Sequence, residues 1–184
     1  MNLANKISIL RILLVPVFLG SIVYYKNEHS MVSYLPLAIF FIAVVTDGLD
    51  GFIARRFNQK TKLGTMLDPV ADKLLIITAF ICLSFSKSIP ENLKVPAWLP
   101  IIVISRDIII VMGTVFVHVI KGDIQILPSV WGKITTFLQM STILVVLLKF
   151  PYSFMIWNLA GAFTIISGVD YMIRGSRLLG ENNE

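Results

Sequence analysis

Charge is scarce in this sequence. Asp, Glu, Lys and Arg make up 15% of its 184 residues, whereas a soluble domain of this size keeps about 25% to solvate its surface. The shortfall argues against an ordinary water-facing exterior. A hydrophobic share of 56% and a mean hydropathy of +0.81 point to lipid instead. There is one cysteine, Cys82, set in an apolar stretch; this rules out a disulfide framework and leaves a core or lipid-facing residue. The two histidines, His29 and His118, form no Cys/His cluster of the kind zinc takes. No long Lys/Arg run and no soluble module accompany the net charge of +5, so no nucleic-acid partner is expected. The basic excess reads as loops held on the cytoplasmic side of a membrane. Internal repeats and low-complexity segments are also lacking.

What is present is a series of six apolar stretches, at about 7–25, 32–53, 66–86, 95–120, 129–150 and 152–178. A membrane-spanning helix needs roughly 20 such residues. The pattern therefore predicts an all-α polytopic membrane protein with six transmembrane helices, in one domain covering 1–184. The first stretch carries Arg11 and shows no small-residue cleavage site, so it is read as a retained helix rather than a signal peptide. One side of the membrane receives Arg55, Arg56, Lys60, Lys62, Lys121, Arg174 and Arg177. The other receives Lys26, Lys87, Lys94 and Lys149, partly offset by Glu28 and Glu91. The richer side is expected to be cytoplasmic, with both termini on it. A bacterial cell membrane is the expected location.

Four acids break the apolar pattern. Asp47, Asp50, Asp68 and Asp72 lie inside or against the second and third stretches, where a carboxylate near the bilayer centre costs about 2.5–3.5 kcal/mol. Four like charges there need counter-charge. Lys73 and nearby arginines supply part of it, and divalent cations supply it more compactly. At about 100° per residue, Asp50 falls about 60° from Asp47 and Arg55 about 80° to the other side. Gly51 and Ala54 lie between them, a shelf almost without side-chain bulk. Asp68 and Asp72 share a face at i, i+4, with Gly64 one turn earlier. A short connection makes the two helices antiparallel neighbours, so the four carboxylates can converge.

An all-oxygen donor set suits Mg²⁺ or Mn²⁺ rather than zinc. Two such ions clamp the attacking and leaving oxygens in phosphoryl displacement, and Arg55 could neutralise a diphosphate leaving group. For Asp68 alone a plainer alternative exists: a helix N-cap with Pro69 as the first helical residue. That alternative does not account for four acids, two glycines and an arginine in one hairpin. A cation transporter, the remote alternative, would spread its acids over several depths and helices.

The run Asp47-x2-Asp50-Gly51-x2-Ala54-Arg55-x8-Gly64-x3-Asp68-x3-Asp72 resembles, at every position, the signature of the CDP-alcohol phosphatidyltransferase family. The resemblance implies a six-helix membrane fold, usually dimeric, with an active site open to the cytoplasmic interface. It implies that Asp47 and Asp68 bridge two metal ions, that Asp50 binds one and Asp72 the other, and that Asp72 is also the general base. Gly51, Ala54, Arg55 and Gly64, with Thr61 from the same turn, would hold the cytidine diphosphate of CDP-diacylglycerol.

Three further cations sit in or at the ends of apolar stretches: Arg106, Lys133 and Arg174. They read either as snorkelling or paired residues, for example Arg106 with Asp107 or Asp170, or as a pocket for a phosphorylated acceptor. The opening NLANKISILRILLVPVF and the later GKITTFLQ resemble the members of the family whose acceptor is glycerol 3-phosphate. Asp107 stands where many of those have Glu. SRD combined with PSxxGKxxTxxQ also resembles members that form cardiolipin from phosphatidylglycerol. Transfer from CDP-diacylglycerol to glycerol 3-phosphate is the expected reaction, cardiolipin formation the alternative. Asn5 and Arg11 are candidates to position the lipid or nucleotide.

Overall fold

A computed structural model describes the backbone of residues 3–24, 31–57, 62–121 and 129–180. Among these, it describes side chains outside 3–9, 31–32, 47–57, 62–70, 92, 118, 121 and 178–180. Among the described residues every regular element is helical, with no strand. The six long helices are α1 (Leu3–Val23), α2 (Leu35–Phe57), α3 (Lys62–Phe85), α4 (Trp98–Lys121), α5 (Val130–Leu147) and α6 (Ser153–Gly180). Short 3₁₀ turns at Met31–Tyr34 and Glu91–Leu93 precede α2 and α4.

Each apolar stretch became one helix, but several ends moved. α2 runs on to Phe57 and α3 begins at Lys62, each about four residues beyond the apolar limit. Hydropathy falls at Ala54, Arg55 and Arg56, yet alanine and arginine are strong helix formers. The helix therefore outlasts the apolar run. As a consequence Asp68 is six residues inside α3, and the reading of it as an N-cap with Pro69 at the first helical position does not hold.

Three segments are long and apolar enough to cross a membrane: Trp98–Val117, Val130–Leu147 and Ser153–Arg177. Only 28–33% of each is buried within the protein. Large apolar side chains such as Ile101, Ile108, Val111, Val115, Phe137 and Ile165 face outward, as lipid contact requires. Leu10–Val23 and Leu35–Thr46 are shorter apolar segments of α1 and α2. The chain is a membrane protein on these grounds.

The chain divides into two units: Met1–Val95 with Ile143–Ser153, and Pro96–Thr142 with Phe154–Glu184. In the first, α1 packs against both α2 and α3. Phe18 and Ile22 of α1 are buried, as are Phe40 and Ala43 of α2 and Ala71, Leu75, Ala79 and Phe80 of α3. Ala43, Ala71 and Ala79 are fully buried, and such small residues let membrane helices approach closely. Phe18 and Phe40 meet in a tilted pair with centroids 6.0 Å apart. The Ser88 hydroxyl donates to the carbonyl of Val23 at 3.2 Å, and the Val95 amide donates to Leu83 O at 3.2 Å. These bonds satisfy carbonyls at the ends of α1 and α3.

The turn after α5 also lies in this unit. The Lys149 amide donates to Val146 O at 2.9 Å and the Phe150 amide to Val145 O at 3.1 Å. This is a Schellman ending, whose left-handed residue is usually glycine. Here it is Lys149, with φ of 57°, and its ammonium lies 6.0 Å from the centre of the Tyr34 ring.

In the second unit, α4, the first part of α5 and α6 pack through small and hydroxylated residues. Thr135 donates to Phe163 O at 2.9 Å, Gln139 to Thr164 Oγ1 at 3.2 Å, and Thr164 to Ala160 O at 2.6 Å. Gly161 lies directly under the Trp98 indole: a Cβ there would come within 2.6 Å of Cζ3 and 2.7 Å of Cη2.

Candidate active site

The acid signature falls on the two helices that flank residues 58–61. Asp47 and Asp50 lie ten and seven residues before the end of α2, and Asp68 and Asp72 six and ten residues after the start of α3. At about 1.5 Å per residue, both pairs span about 9–15 Å along their helices from that connection. The helical backbone therefore continues through all four acids. Gly51, Ala54 and Arg55 lie on the last turns of α2, and Gly64 lies on the first turn of α3. The side chains of Asp47, Asp50, Ala54, Arg55 and Asp68 lie outside the described residues, as does Thr61 altogether.

Asp72 is the member of the set whose side chain is described, and its surroundings are informative. It is 27% exposed and accepts a hydrogen-bonded ion pair at 2.5 Å from Nη1 of Arg11 on α1. Arg11 is 1% exposed. An unpaired buried guanidinium would cost several kcal/mol, so a carboxylate partner is what permits an arginine at this place in α1. Arg11 is one of the two residues that the sequence offers for positioning the lipid or nucleotide. Its partner was not legible, because the ion pair joins residues 61 apart. Asn5, the other candidate, lies outside the described side chains.

Among the described residues no three Asp, Glu, His or Cys side chains gather. The acid set nevertheless fits a divalent ion in its chemistry. Its donors are carboxylate oxygens alone, and Asp72 keeps an accessible side despite its buried partner.

Of the three cations expected at the acceptor, Arg106 and Arg174 have separate partners, both within the second unit. Arg106 is 8% exposed and donates through Nη1 to Asp107 Oδ1 at 2.8 Å and through Nη2 to Ser167 Oγ at 2.7 Å. Its Nε is buried with no hydrogen-bond partner. Room for the guanidinium comes from glycine: a Cβ at Gly132 would lie 3.1 Å from Nη2, and one at Gly168 would lie 3.5 Å from Cγ. Arg174, 46% exposed, pairs with Asp170 at 3.0 Å, and Asp170 also accepts from the Ser129 hydroxyl at 2.6 Å. Lys133 is exposed on α5. Of the pairings weighed for Arg106, the one formed is with Asp107. Arg106 and Arg174 are thus held by different acids, and no partner common to the three cations is among the described contacts.

This geometry explains part of the GKITTFLQ pattern by packing. Gly132 clears space for Arg106, Thr136 bonds back to Gly132 O at 3.1 Å, and Gln139 reaches Thr164 on α6. Ser167 and Gly168, which complete the arginine's cage, carried no sequence signal beyond being small residues in an apolar helix.

The model of one protein family, CDP-alcohol phosphatidyltransferase, matches residues 1–166. The chain belongs to the CDP-alcohol phosphatidyltransferase family. It is therefore a transferase, from a family that generally uses divalent metals. The CDP-diacylglycerol–glycerol-3-phosphate 3-phosphatidyltransferase of Bacillus subtilis (strain 168) is 34% identical, with 99% of each chain covered. The protein of the same name from Aquifex aeolicus is also 34% identical, over 97% of this chain and 98% of its own. A probable phosphatidylglycerophosphate synthase of Mycobacterium tuberculosis (strain ATCC 25618 / H37Rv) shares 34% identity over 97% of this chain and 84% of its own length.

Proposed function

We propose that this phosphatidyltransferase moves the phosphatidyl group of CDP-diacylglycerol to glycerol 3-phosphate, giving phosphatidylglycerophosphate and CMP. The observation that carries the proposal is the full-length likeness to relatives bearing that activity as their name, at 34% identity over 97–99% of the chain. The intact acid signature supports the same chemistry. In this reading residues 1–184 form one catalytic membrane domain with six spans, in a bacterial cell membrane and as a homodimer. The active site and both termini face the cytoplasm.

Asp47, Asp50, Asp68 and Asp72 would hold two divalent ions, Mg²⁺ or Mn²⁺. When bound, such ions stabilise negative charge on the attacking and leaving oxygens of a phosphoryl displacement. Asp72 takes the proton from the acceptor hydroxyl. That oxygen then bonds to the phosphorus bearing the diacylglycerol, and the bond from this phosphorus to the bridging oxygen breaks. CMP leaves with the electron pair. Arg55 neutralises charge on the departing phosphate. Gly51, Ala54 and Gly64, with Thr61, leave room for the cytidine diphosphate against the backbone.

Arg106, Lys133 and Arg174 are proposed to bind the acceptor phosphate. For Arg106, the support is the buried Nε without a partner, a donor that an anion could satisfy. The test is CMP release by the purified protein in detergent with CDP-diacylglycerol and Mg²⁺ or Mn²⁺, with glycerol 3-phosphate and phosphatidylglycerol offered separately. Release with glycerol 3-phosphate alone is expected. Release with phosphatidylglycerol alone overturns the acceptor assignment and moves the enzyme to cardiolipin synthesis.

A further inference from the structure

The ion pair between Arg11 and Asp72 links a helix outside the acid signature to the acid with the most demanding role. We infer that Arg11 is a positioning residue for the metal site, holding the Asp72 carboxylate in the orientation that ligation requires. The inference rests on the reading of Asp72 as a metal ligand.

Three observations carry it. First, Arg11 is 1% exposed whereas Asp72 is 27% exposed. The guanidinium is thus sealed into the α1–α3 packing, and the carboxylate keeps one side open. Second, the contact is a hydrogen-bonded ion pair made by a planar guanidinium, which fixes a carboxylate more firmly than an ammonium does. Third, the arginine is costly where it stands. A buried ion pair is often no more stabilising than an apolar pair of the same volume. Buried residues near them on the same two helices, Phe18 and Ile22 of α1 and Ala71 and Leu75 of α3, show that apolar packing is what these helices otherwise use. A pair kept at that cost on a signature acid fits control of that acid better than general stabilisation. Groups that hydrogen-bond to metal-ligating side chains fix their orientation, and losing such a group weakens metal binding or activity about 10–100-fold. Arg11 also places one permanent positive charge beside Asp72 before any metal arrives.

The experiment is a Mn²⁺ titration of the purified full-length protein in detergent without substrate, with free Mn²⁺ read by electron paramagnetic resonance and the metal-free melting temperature recorded alongside. Arg11→Gln is expected to raise the half-saturating Mn²⁺ concentration about tenfold or more. Arg11→Lys keeps the buried charge and is expected to recover part of the loss, remaining at least about threefold weaker than wild type. It carries the test if the glutamine variant does not fold. Asp72→Asn should weaken binding by itself, and adding Arg11→Gln to it should weaken binding no further, because Arg11 acts through Asp72. Wild-type Mn²⁺ binding in both Arg11 variants, with Asp72→Asn impaired, overturns the positioning role and leaves Asp72 a ligand. Unaltered binding in Asp72→Asn overturns the ligand reading itself. Additive losses in the double variant show that Arg11 acts elsewhere, and they overturn the inference too.

Discussion

Among the described residues Arg106 is the most deeply buried cation of the second unit, and its environment sets the size of the effect of removing it. The guanidinium is 8% exposed, Asp107 is 7% exposed, and the two are joined at 2.8 Å. Arg106→Met keeps the length and much of the volume of the side chain but leaves Asp107 buried without its Arg106 counter-charge and Ser167 without its donor. Removing one partner of a buried pair costs about 3–5 kcal/mol. For a chain of this size about 1 kcal/mol moves the melting temperature by about 2–4 °C, so a fall of about 6–20 °C is expected. Ser167→Ala deletes the 2.7 Å bond alone, a hydrogen bond to a charged group with a cost of about 1.5–3 kcal/mol, and should fall between. The double variant Arg106→Met with Asp107→Leu removes both charges and should return to within about 1–2 kcal/mol of wild type. The assay is thermal unfolding of the detergent-purified protein followed by tryptophan fluorescence, without substrate or metal. An unchanged melting temperature for Arg106→Met refutes the cost assigned to leaving Asp107 without that counter-charge. A double variant no better than the single one refutes the electrostatic origin of the loss and points to lost packing.

Three other outcomes are expected. Gly161→Val forces a side chain into the Trp98 ring, already 2.6 Å from the first added atom. It should cost about 1–3 kcal/mol in the same melting assay, whereas Gly20→Ala, with nothing within 4 Å, should be neutral or slightly stabilising. Equal effects at the two glycines would contradict the close α4–α6 approach. Lys149→Gly relieves a left-handed backbone that costs a non-glycine residue about 1–2 kcal/mol, and a rise of a few degrees should follow. A fall would mean that the lysine's contacts, including that with Tyr34, outweigh the backbone term. Lys133→Ala should raise the KM for glycerol 3-phosphate more than that for CDP-diacylglycerol. No change in either removes Lys133 from the acceptor pocket.

Most of the helix count was legible in the sequence, because a run of about 20 apolar residues has few fates other than a long helix. The helix ends were less legible. Hydropathy stops where polar residues begin, but the backbone continues through Arg55 and Arg56 at one end and from Lys62 at the other. Asp68 consequently moved from a candidate cap to the helix interior. The acid signature could be read directly, since helical periodicity fixes which faces Asp47, Asp50, Asp68 and Asp72 share.

The sequence by itself determined the class of the protein and pointed to the acids expected to carry its chemistry. Low charge, six apolar runs and oxygen-only acids spaced for a helical hairpin are local properties, and local periodicity suffices to interpret them. The tertiary structure alone decided the partners. Arg11 meets Asp72 across 61 residues, and Arg106 takes Ser167 at the same separation while choosing Asp107 over Asp170. Glycines 132 and 168 gain their meaning from the guanidinium between them. Such choices depend on which helices approach and how closely. That approach is set by many weak side-chain contacts acting together, and no single stretch of sequence contains it.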